Sequence, residues 1–277
     1  MMSTLRFTKH HGAGNDFLVL IDPHGSGPLP GALVRALCER RTGIGADGVI
    51  RVIAGWAGAD VGMVLQNADG LEAEMSGNGI RCLAQAAIEA GLVTPPWFTV
   101  DTGAGLQVID YFEGVRPGTA EASVDLGVAT VGPDQPQPFG DRRVRTVDVG
   151  NPHLVMLGPD PSEIDVPGIG AHLQEVHAGG INVEFVSVGP EPDALTMRVF
   201  ERGVGETQAC GTGSVAAAIA ANSWGLVGRE VVVHNPGGDL TVSVEVQPDD
   251  AVRARLRGPI RRVGEIVIEV NDLGIEV

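Results

Sequence analysis

Short apolar runs bounded by turn-forming residues recur along the whole chain and dominate its hydrophobic pattern. Runs of about four to eight residues between Gly, Pro, Asp or Asn are typical of β-strands. They predict strands over 5–10, 17–21, 48–53, 61–66, 98–101, 106–112, 122–126, 144–149, 154–157, 181–188 and 195–201, and three more between 230 and 257. A fold rich in β-structure follows from this pattern.

Four stretches have a helical pattern instead, over 32–41, 79–90, 165–177 and 211–222. In 79–90 the apolar residues recur at three- and four-residue spacing, which predicts one buried stripe with Arg81, Gln85 and Glu89 lying off it. The stretch 211–222 is apolar almost all round, as expected of a helix surrounded by a sheet.

Two of these helices begin in segments that are similar to each other. The first segment is Glu-Met-Ser-Gly-Asn-Gly at 74–79, and the second is Gln-Ala-Cys-Gly-Thr-Gly at 208–213. Each places a small proton-exchanging side chain and two glycines at a helix start, where backbone N–H groups attract a carboxylate and favour a thiolate. The repeat predicts two matching half-sites, one with Ser76 and the other with Cys210.

The second half of the chain repeats the order of elements of the first. In each half, strands precede a glycine-rich segment and an Ala-rich helix, and further strands follow. The 277 residues, 43 % of them hydrophobic, are enough for two packed cores. We therefore expect a duplicated α+β fold with domains over 1–117 and 118–261, and with the segment 262–277 returning to the first domain.

The charge and the cysteines restrict the partners and the compartment. Thirty-five acidic and 19 basic residues give a net charge of −16, so we expect neither nucleic acid nor an anionic membrane as a partner. No apolar run approaches the ~18 residues of a membrane span, and the N-terminus has no apolar signal-peptide core. Three cysteines form no CxxC pair and no even-numbered disulfide framework. A cytoplasmic protein is expected.

Simpler interpretations compete with a functional one at the glycine-rich segments. The G-x-G-x-x-G pattern at 43–48 follows a predicted helix and precedes a strand, the reverse of the dinucleotide-binding context. Ser76 and Cys210 would each suit an ordinary N-cap with glycine for close packing. The repetition of this arrangement at two helix starts favours a functional role over simple capping.

Other reactive side chains indicate packing rather than catalysis. Cys38 and Cys82 lie on predicted helices and are expected to be buried packing residues. The seven histidines have no metal-binding spacing, so no metal is expected. Ser76 has Glu74 two positions before it instead of glycine, so it does not fit the nucleophile elbow of a serine hydrolase.

Six segments share an order that identifies a family. They are His-Gly-Ala-Gly-Asn-Asp-Phe at 11–17, Gly-Ile-Gly-Ala-Asp-Gly at 43–48, Asn-Ala-Asp-Gly at 67–70 with Met-Ser-Gly-Asn-Gly at 75–79, Gly-Asn-Pro-His at 150–153, Asn-Val-Glu-Phe at 182–185, and Glu-Arg-Gly-Val-Gly-Glu-Thr at 201–207 running into Ala-Cys-Gly-Thr-Gly at 209–213. In this order they resemble the diaminopimelate epimerase family.

The resemblance implies both a fold and a reaction. The fold is α+β, with two pseudo-symmetric domains, each a curved mixed or antiparallel sheet around a central helix, and the active site in the cleft between them. The reaction is the conversion of LL-diaminopimelate, a small amino-acid substrate, to its meso form without pyridoxal phosphate or another cofactor. A homodimer is expected because homologous epimerases often pair.

The chemistry of the residues is consistent with such a reaction. Removing a Cα proton creates a carbanion beside a carboxylate, which N–H groups at two helix N-termini can stabilise. The candidate donors lie near Gly77 and Asn78 in one segment and near Gly211 and Thr212 in the other. Inversion also needs a base on one face of Cα and an acid on the other. Cys210 is the expected base, because thiols at helix starts ionise below the ~8.5 of free cysteine.

The resemblance also implies roles for polar side chains away from the reacting carbon. The family positions for the distal carboxylate are occupied by Asn67, Asn151, Asn182 and Arg202, and those near the reacting amino group by Asn15 and Glu201. A guanidinium has the bidentate geometry that fits a carboxylate. Some members have Gln where this chain has Gly48, so one substrate contact is missing here. His153 is a further candidate for lining the site.

Ser76 stands where the family has its second cysteine. A hydroxyl can give a proton to a carbanion, but taking one from Cα requires alkoxide character that a helix dipole, worth ~0.3–1 kcal/mol, does not supply. Three explanations stay open: a natural variant relayed to a neighbouring base, an engineered Cys→Ser change, or different chemistry on the same scaffold. The alternatives to an epimerase are a same-fold isomerase, racemase or lyase acting on another amino acid, and a catalytically silent amino-acid-binding protein.

Overall fold

The computed structural model describes residues 4–25, 27–135 and 142–269. The strands of these residues are β1 (Thr4–Gly12), β2 (Asn15–Ile21), β3 (Gly48–Ala54), β4 (Val61–Asn67), β5 (Glu72–Ala73), β6 (Trp97–Thr102), β7 (Gly105–Glu113), β8 (Thr119–Asp134), β9 (Arg143–Asp148), β10 (Pro152–Leu157), β11 (Asn182–Val188), β12 (Ala194–Glu201), β13 (Gly205–Thr207), β14 (Glu230–Asn235), β15 (Gly238–Val246) and β16 (Val252–Glu269). The helices are α1 (Gly31–Cys38), α2 (Gly77–Glu89), α3 (Val166–Val176) and α4 (Gly211–Ser223), with a 3₁₀ turn at Pro161–Glu163.

These elements form two compact units. The first comprises the described residues up to Val124 and from Pro259 onward, and the second is Asp125–Gly258. The sequence places the corresponding boundaries at 117 and 261. Of the segment 262–277, residues 262–269 form the end of β16 and pair antiparallel with β1, and the rest lies outside the described residues.

The first unit is a mixed sheet around α2. Its strand order is β8-β7-β6-β4-β3-β2-β1-β16, with β5 beside β4. The pairs β2–β3 and β4–β6 are parallel and the other pairs along this order that have a described register are antiparallel. The N–H of Arg262 on β16 donates to the carbonyl of Gly118, just before β8, at 2.8 Å. The outermost strands of this order therefore approach each other, and α2 packs against β1, β2, β3, β4 and β7.

The second unit repeats this plan around α4. Its strand order is β8-β9-β10-β11-β12-β14-β15-β16, with β13 beside β12. The pairs β10–β11 and β12–β14 are parallel. Strands β9, β10, β11, β12, β14 and β15 all contact α4. One central helix within a mixed sheet in each unit confirms the predicted α+β fold.

The burial of α2 corrects the prediction of a single buried stripe. Every residue from Gly77 to Ala87 is buried, including Arg81 at 0 % and Gln85 at 2 % exposure. Because the sheet packs on all sides of the helix, polar residues there have no solvent face and must find partners inside. Gln85 does so through a 2.9 Å hydrogen bond between its Oε1 and Nδ1 of His10. Glu89, at the C-terminal end, stays partly exposed.

The other helices agree more closely with their sequence patterns. Apart from Ser214, the buried residues of α4 are apolar or glycine, as the all-round hydrophobic pattern predicts. α3 begins after Asp165, whose Oδ1 accepts a 3.1 Å hydrogen bond from the N–H of Gly168. α1 ends earlier than predicted because Glu39 is extended, with φ −61° and ψ 121°. Cys38 and Cys82 are buried and free, which confirms that they are packing residues.

The remaining differences concern strand lengths. The sequence does not predict β5 and β13, because strands of two and three residues are too short to show alternation. β8 and β16 extend well beyond the predicted ends at 126 and 257. Part of the turn predicted over 132–140 belongs to β8, and residues 136–140 lie outside the described residues.

None of the helices in the described part of the chain combines the length and apolarity that a bilayer crossing requires.

Candidate active site

The two similar segments adopt the same local structure in their respective units. Ser76 is the N-cap of α2, with φ −135° and ψ 125°, and its Oγ accepts a 3.1 Å hydrogen bond from the N–H of Gly79. Cys210 is the N-cap of α4, with φ −117° and ψ 120°, and its Sγ accepts a 3.3 Å hydrogen bond from the N–H of Gly213. The sequence repeat is therefore a structural repeat, and both side chains cap their helices.

Glycine at the third helical position permits this geometry in both helices. A Cβ at Gly79 would lie 3.1 Å from Cβ of Ser76 and 3.2 Å from Cδ1 of Ile50. A Cβ at Gly213 would lie 3.3 Å from Sγ of Cys210 and 2.8 Å from Oε1 of Glu184. A larger residue would push the N-cap side chain away from the helix, so the spacing between cap and glycine has a steric cause.

The first unit brings two of its predicted site residues together. Asn78 donates from Nδ2 to Oδ1 of Asn15 at 3.2 Å, and Asn15 donates from its own Nδ2 to Oδ2 of Asp47 at 2.7 Å. Arg40 holds Asp47 in turn, with Nη2 at 2.7 Å from Oδ1. The amide groups of Asn15 and Asn78 are thereby oriented beside the first turn of α2.

Asn67 lies apart from that hydrogen-bonded chain, at the end of β4 and in register with Gly48 of β3. A Cβ at Gly48 would lie 2.6 Å from the carbonyl oxygen of Gln66 and 3.3 Å from the ring of Phe17. The backbone here accepts only glycine without rearrangement, which accounts for the missing glutamine in steric terms.

In the second unit, a chain of hydrogen bonds leads to Cys210 from a carboxylate that the sequence did not single out. Oε1 of Glu184 lies 2.6 Å from Nδ1 of His153, and Nε2 of His153 lies 3.0 Å from Oδ1 of Asn151. Asn151 donates from Nδ2 to Oγ1 of Thr212 at 3.4 Å, and that oxygen lies 3.5 Å from Sγ of Cys210. Glu184 and His153 are completely buried.

The environment of Cys210 overturns the expectation of a readily ionised thiol. Burial raises the pKa of Cys210 well above its ordinary value, and the carboxylates of Glu201 and Glu184 raise it further. The hydrogen bonds from Thr212 and Gly213 lower this pKa by less. Loss of solvation and two nearby carboxylates outweigh the helix N-terminus, so the thiol is neutral in this structure.

Glu201 is one of the two carboxylates whose charge acts on that thiol. Burial raises the pKa of Glu201, while the hydrogen bond from Thr207 and the interaction with Cys210 lower it by less. A carboxylate with a raised pKa is a stronger base than an exposed one. Glu201 is therefore suited to accept a proton from Cys210.

Asn182 and Arg202 are also joined in the second unit. Oδ1 of Asn182 accepts a 2.9 Å hydrogen bond from the backbone N–H of Arg202, and Nδ2 donates to the carbonyl of Pro152 at 3.1 Å. The guanidinium of Arg202 is exposed and donates to the carbonyl of Gly179 at 3.3 Å. Asn182 thus fixes the backbone of the residue whose guanidinium is exposed.

Sequence reasoning missed three charged residues next to these side chains. Glu184 stands inside the apolar strand β11, where a charged residue is unusual and could have been a signal. Asp47 and Arg81 gave no comparable signal, because one lies in a glycine-rich turn and the other matches the polar side of a helical pattern. Within the described residues, no three His, Cys, Asp or Glu side chains gather as a metal site would require.

Comparisons with known proteins identify the family. The sequence profile of the diaminopimelate epimerase family matches residues 7–131 and 145–262. A diaminopimelate epimerase from Desulforapulum autotrophicum is 39 % identical over 265 residues, covering 88 % of this chain and 92 % of that protein. The diaminopimelate epimerase from Mycolicibacterium paratuberculosis is 40 % identical over 282 residues, covering 92 % and 94 %.

Solved structures share the fold at low sequence identity. A PhzF-family phenazine biosynthesis protein from Bacillus anthracis is 17 % identical, with a TM-score of 0.75 and coverage of 96 % of this chain and 99 % of the other. A hydroxyproline epimerase from Agrobacterium vitis is 18 % identical, with a TM-score of 0.72 and coverage of 96 % and 91 %. On its own sequence matches, the chain belongs to the diaminopimelate epimerase family and is an isomerase.

Proposed function

We propose that this protein converts LL-diaminopimelate to meso-diaminopimelate by moving the proton at one Cα, a step in lysine biosynthesis. The observation that carries this proposal is the matched N-cap geometry of Ser76 and Cys210, each supported by glycine at the third helical position. Relatives at 39–40 % identity over most of the chain carry the same activity in their names. An epimerase needs one proton-exchanging group for each face of Cα, and these two residues supply the groups.

Cys210 is the base in the proposed direction from LL to meso. Its thiol first gives its proton to the carboxylate of Glu201, whose charge acts on it. The thiolate then takes the Cα proton, an S–H bond forms, and the electron pair of the C–H bond moves into the substrate carboxylate. The raised pKa of Cys210 makes its thiolate a strong base once it has formed.

Backbone N–H groups stabilise the negative charge that develops on the substrate carboxylate. The first N–H groups of an α-helix have no acceptor within the helix, and they carry partial positive charge. We assign this role to the first turns of α2 and α4, at Gly77 and Asn78 and at Gly211 and Thr212. Donors of this kind, fixed before the reaction, are worth roughly 3–4 kcal/mol each in well-studied oxyanion sites.

Ser76 completes the inversion in this proposal. Its hydroxyl gives a proton to the carbanion from the other face. The oxygen then recovers a proton from solvent, and Glu201 releases to solvent the proton that it took from Cys210. Forward and reverse reactions cross the same transition states, so a weak group at position 76 slows both directions. We therefore expect a slower enzyme than one with cysteine at this position.

The lysine content supports catalysis without pyridoxal phosphate. That cofactor is held as a Schiff base with a lysine, and Lys9 is the only lysine in the sequence. Nζ of Lys9 lies 2.8 Å from Oδ2 of Asp16 and donates to the carbonyl of Gly45 at 2.5 Å. A lysine in this ion pair is unsuited to forming a Schiff base.

Proton exchange at Cα tests the proposed reaction directly. LL-diaminopimelate incubated with the protein in D₂O is expected to gain one deuterium at Cα and to yield the meso isomer, as read by mass spectrometry and chiral chromatography. Binding of LL-diaminopimelate without exchange would overturn the proposal. Exchange into another amino acid, but not into LL-diaminopimelate, would overturn the substrate assignment.

Ser76 itself favours a second candidate, an isomerase or lyase of the same fold that needs only one strong base. Such an enzyme would use Cys210 for proton removal and would place no demand on the hydroxyl of Ser76. The same D₂O experiment separates the two, because a one-base enzyme would release or rearrange its product without inverting Cα.

We also place the reaction in the cytoplasm, because the free Cys210 thiol must stay reduced and the other two cysteines are unpaired. Assembly into a homodimer stays a prediction.

A further inference from the structure

A buried arginine lies behind the N-terminus of α2. The side chain of Arg81 is completely inaccessible, and its Nη1 donates to the carbonyl of Gly77 at 2.8 Å. Its Nη2 donates to Oδ1 of Asn78 at 2.7 Å. Long side chains in helices lean toward the N-terminus, so a residue in the second turn places its guanidinium beside the first. Among the described residues, Nε of Arg81 has no hydrogen-bond partner.

Within the described residues, the charge of Arg81 has no counter-ion. No aspartate or glutamate of the described chain pairs with it, and both of its hydrogen-bond acceptors are neutral amide oxygens. Burial lowers the pKa of Arg81 only to about 10, so the guanidinium is charged at neutral pH. A buried charge without a partner is unfavourable, which makes this arginine costly for the fold alone.

The surrounding charged groups cancel one another. Asp16 lies 2.8 Å from Nζ of Lys9 and 2.7 Å from Nη2 of Arg40, and Asp47 lies 2.7 Å from the same Arg40 nitrogen. The charges of these two acids and two bases sum to zero. Titratable side chains of α2 and β1 also lie near this region, and their pKa values are shifted toward the neutral form: burial raises the pKa of Cys82 to about 12, lowers that of His10 to about 4 and lowers that of His11.

The other helix has no such cation. Val215 occupies the corresponding position of α4, five residues after the N-cap in each helix, and it is completely buried. The charged neighbours of Cys210 are instead the carboxylates of Glu201 and Glu184. At this position of the central helix, a buried positive charge is therefore present only in the unit whose N-cap is serine.

We propose that Arg81 is an electrostatic positioning residue, which stabilises negative charge at the N-terminus of α2. It acts on the side chain at position 76 and on the substrate carboxylate bound by the first turn. The role toward the carboxylate rests on the proposed function, whereas the role toward position 76 does not. In a region shielded from water, the interaction between charges is several times stronger than in bulk solvent. The cation favours the alkoxide that Ser76 forms on giving up its proton.

A thiol placed at position 76 reports this effect without any substrate. In Ser76→Cys, the rate of alkylation by iodoacetamide is measured against pH, and mass spectrometry of the peptide that contains residue 76 isolates its signal from the other cysteines. The native cysteines react slowly in the folded protein, because burial raises the pKa of Cys38 and Cys82 to about 12 and that of Cys210 well above its ordinary value. We expect the introduced thiol to titrate below the ~8.5 of free cysteine.

Neutral replacements of Arg81 then remove the effect. In the Ser76→Cys background, Arg81→Met and Arg81→Gln are each expected to raise the pKa of the introduced thiol by about one unit, a roughly tenfold slower alkylation at pH 7. Arg81→Lys keeps the charge and is expected to restore most of the rate.

Arg51 supplies the matched control. It is the other buried arginine of the first unit, but Nη2 lies 2.6 Å from Oδ2 of Asp22, so its charge is compensated. Arg51→Met is expected to lower the melting temperature and to leave the pKa of the introduced thiol unchanged.

Three results would overturn the proposal. They are a thiol in Ser76→Cys that titrates at or above 8.5, the ordinary value, an unchanged thiol pKa in the neutral Arg81 variants, and an equal shift in Arg51→Met. The first needs no change at Arg81, so it decides the matter even if those variants fail to fold. A thiol that titrates as expected in a protein without epimerase activity would refute the proposed function and leave the role of Arg81 toward position 76 standing.

Discussion

The N-termini of α2 and α4 have the same backbone geometry and opposite electrostatic surroundings. Each begins at an N-cap whose side chain accepts a hydrogen bond from the N–H three residues on, over a glycine. Around Cys210 the charged neighbours are the carboxylates of the completely buried Glu184 and the partly buried Glu201, whereas behind Ser76 there is a buried guanidinium. A duplicated fold can therefore keep the positions of two reacting groups while the charges that set their proton affinities diverge.

The direction of the divergence suits the two side chains. An aliphatic hydroxyl holds its proton far more tightly than a thiol does. Burial and two carboxylates raise the pKa of the Cys210 thiol, and on the proposed role of Arg81 a cation lowers that of the Ser76 hydroxyl. Both effects bring the two proton affinities closer together. Transfer through a pair of unequal groups is easier when their affinities are matched.

The largest effect is expected on removing the thiol from the second helix. Cys210→Ala is expected to lower epimerisation of LL-diaminopimelate and Cα deuterium exchange about 10³-fold, since a positioned base contributes roughly 10²–10⁴. Cys38→Ala is the control, because that thiol is buried in α1 and is expected to have no catalytic role. Activity retained in Cys210→Ala would refute the role assigned to it.

Acid is expected to destabilise the unit that surrounds α2. Burial lowers the pKa of His10 to about 4, below the 6.5 of an unfolded histidine. Between these values the unfolded state binds more protons, so this contribution to the free energy of unfolding is present above pH 6.5 and is lost as the pH falls toward 4. The loss is about 3 kcal/mol. Urea unfolding at pH 7 and pH 4 is expected to show a smaller loss in His10→Gln than in the parent protein.

His234→Gln serves as the control for this pH effect. Asp239 and Glu191 raise the pKa of the partly exposed His234, so its contribution has the opposite sign and is lost as the pH rises. The acid-induced loss is expected to persist in this variant.

In α4, Ile219 occupies the position of Gln85, nine residues after the N-cap, so the second helix has no equivalent of the His10–Gln85 pair. An equal pH dependence in His10→Gln and the parent would contradict the assignment to His10.

Replacing the weaker N-cap with the stronger one makes the two half-sites alike. Ser76→Cys is expected to raise kcat/KM for LL-diaminopimelate about 10- to 100-fold, because a thiol exchanges a proton with Cα more readily than a hydroxyl does. The measurement is the rate of conversion in each direction, from LL to meso and from meso to LL, and the two rates should rise together. No gain, or a loss, would indicate that the chemistry at position 76 is not that of a weakened epimerase.

The smallest effect is expected from substituting the two glycines that lie beside the N-cap side chains. Gly213→Ala would place a methyl group 2.8 Å from Oε1 of Glu184, which is fixed by His153, so we expect a loss of about 1–3 kcal/mol in stability together with reduced activity. In Gly79→Ala, the new methyl group would lie 3.2 Å from the more flexible side chain of Ile50. The better helix propensity of Ala offsets the resulting loss of stability by roughly 0.5–1 kcal/mol. Melting curves should rank Gly79→Ala above Gly213→Ala. The reverse order would show that Glu184 can move.

The sequence was sufficient for features that depend on local pattern. Alternation and turn residues indicated most strands, and the cap-and-glycine spacing indicated both N-termini. The all-round apolar pattern of 211–222 indicated a surrounded helix, and the order of six motifs indicated the family. Each of these follows from backbone geometry or steric fit over a few neighbouring residues, which the chain itself encodes.

The tertiary structure decided the electrostatics. Arg81 and Gln85 match the polar side of a helix in the sequence, yet the sheet covers every side of α2 and buries them. Cys210 has the sequence context of a low-pKa thiol, yet burial and two carboxylates from other strands raise its pKa. Proton affinity depends on solvation and on charges brought together from distant parts of the chain, so local pattern located the reacting groups and only the fold set their ionisation.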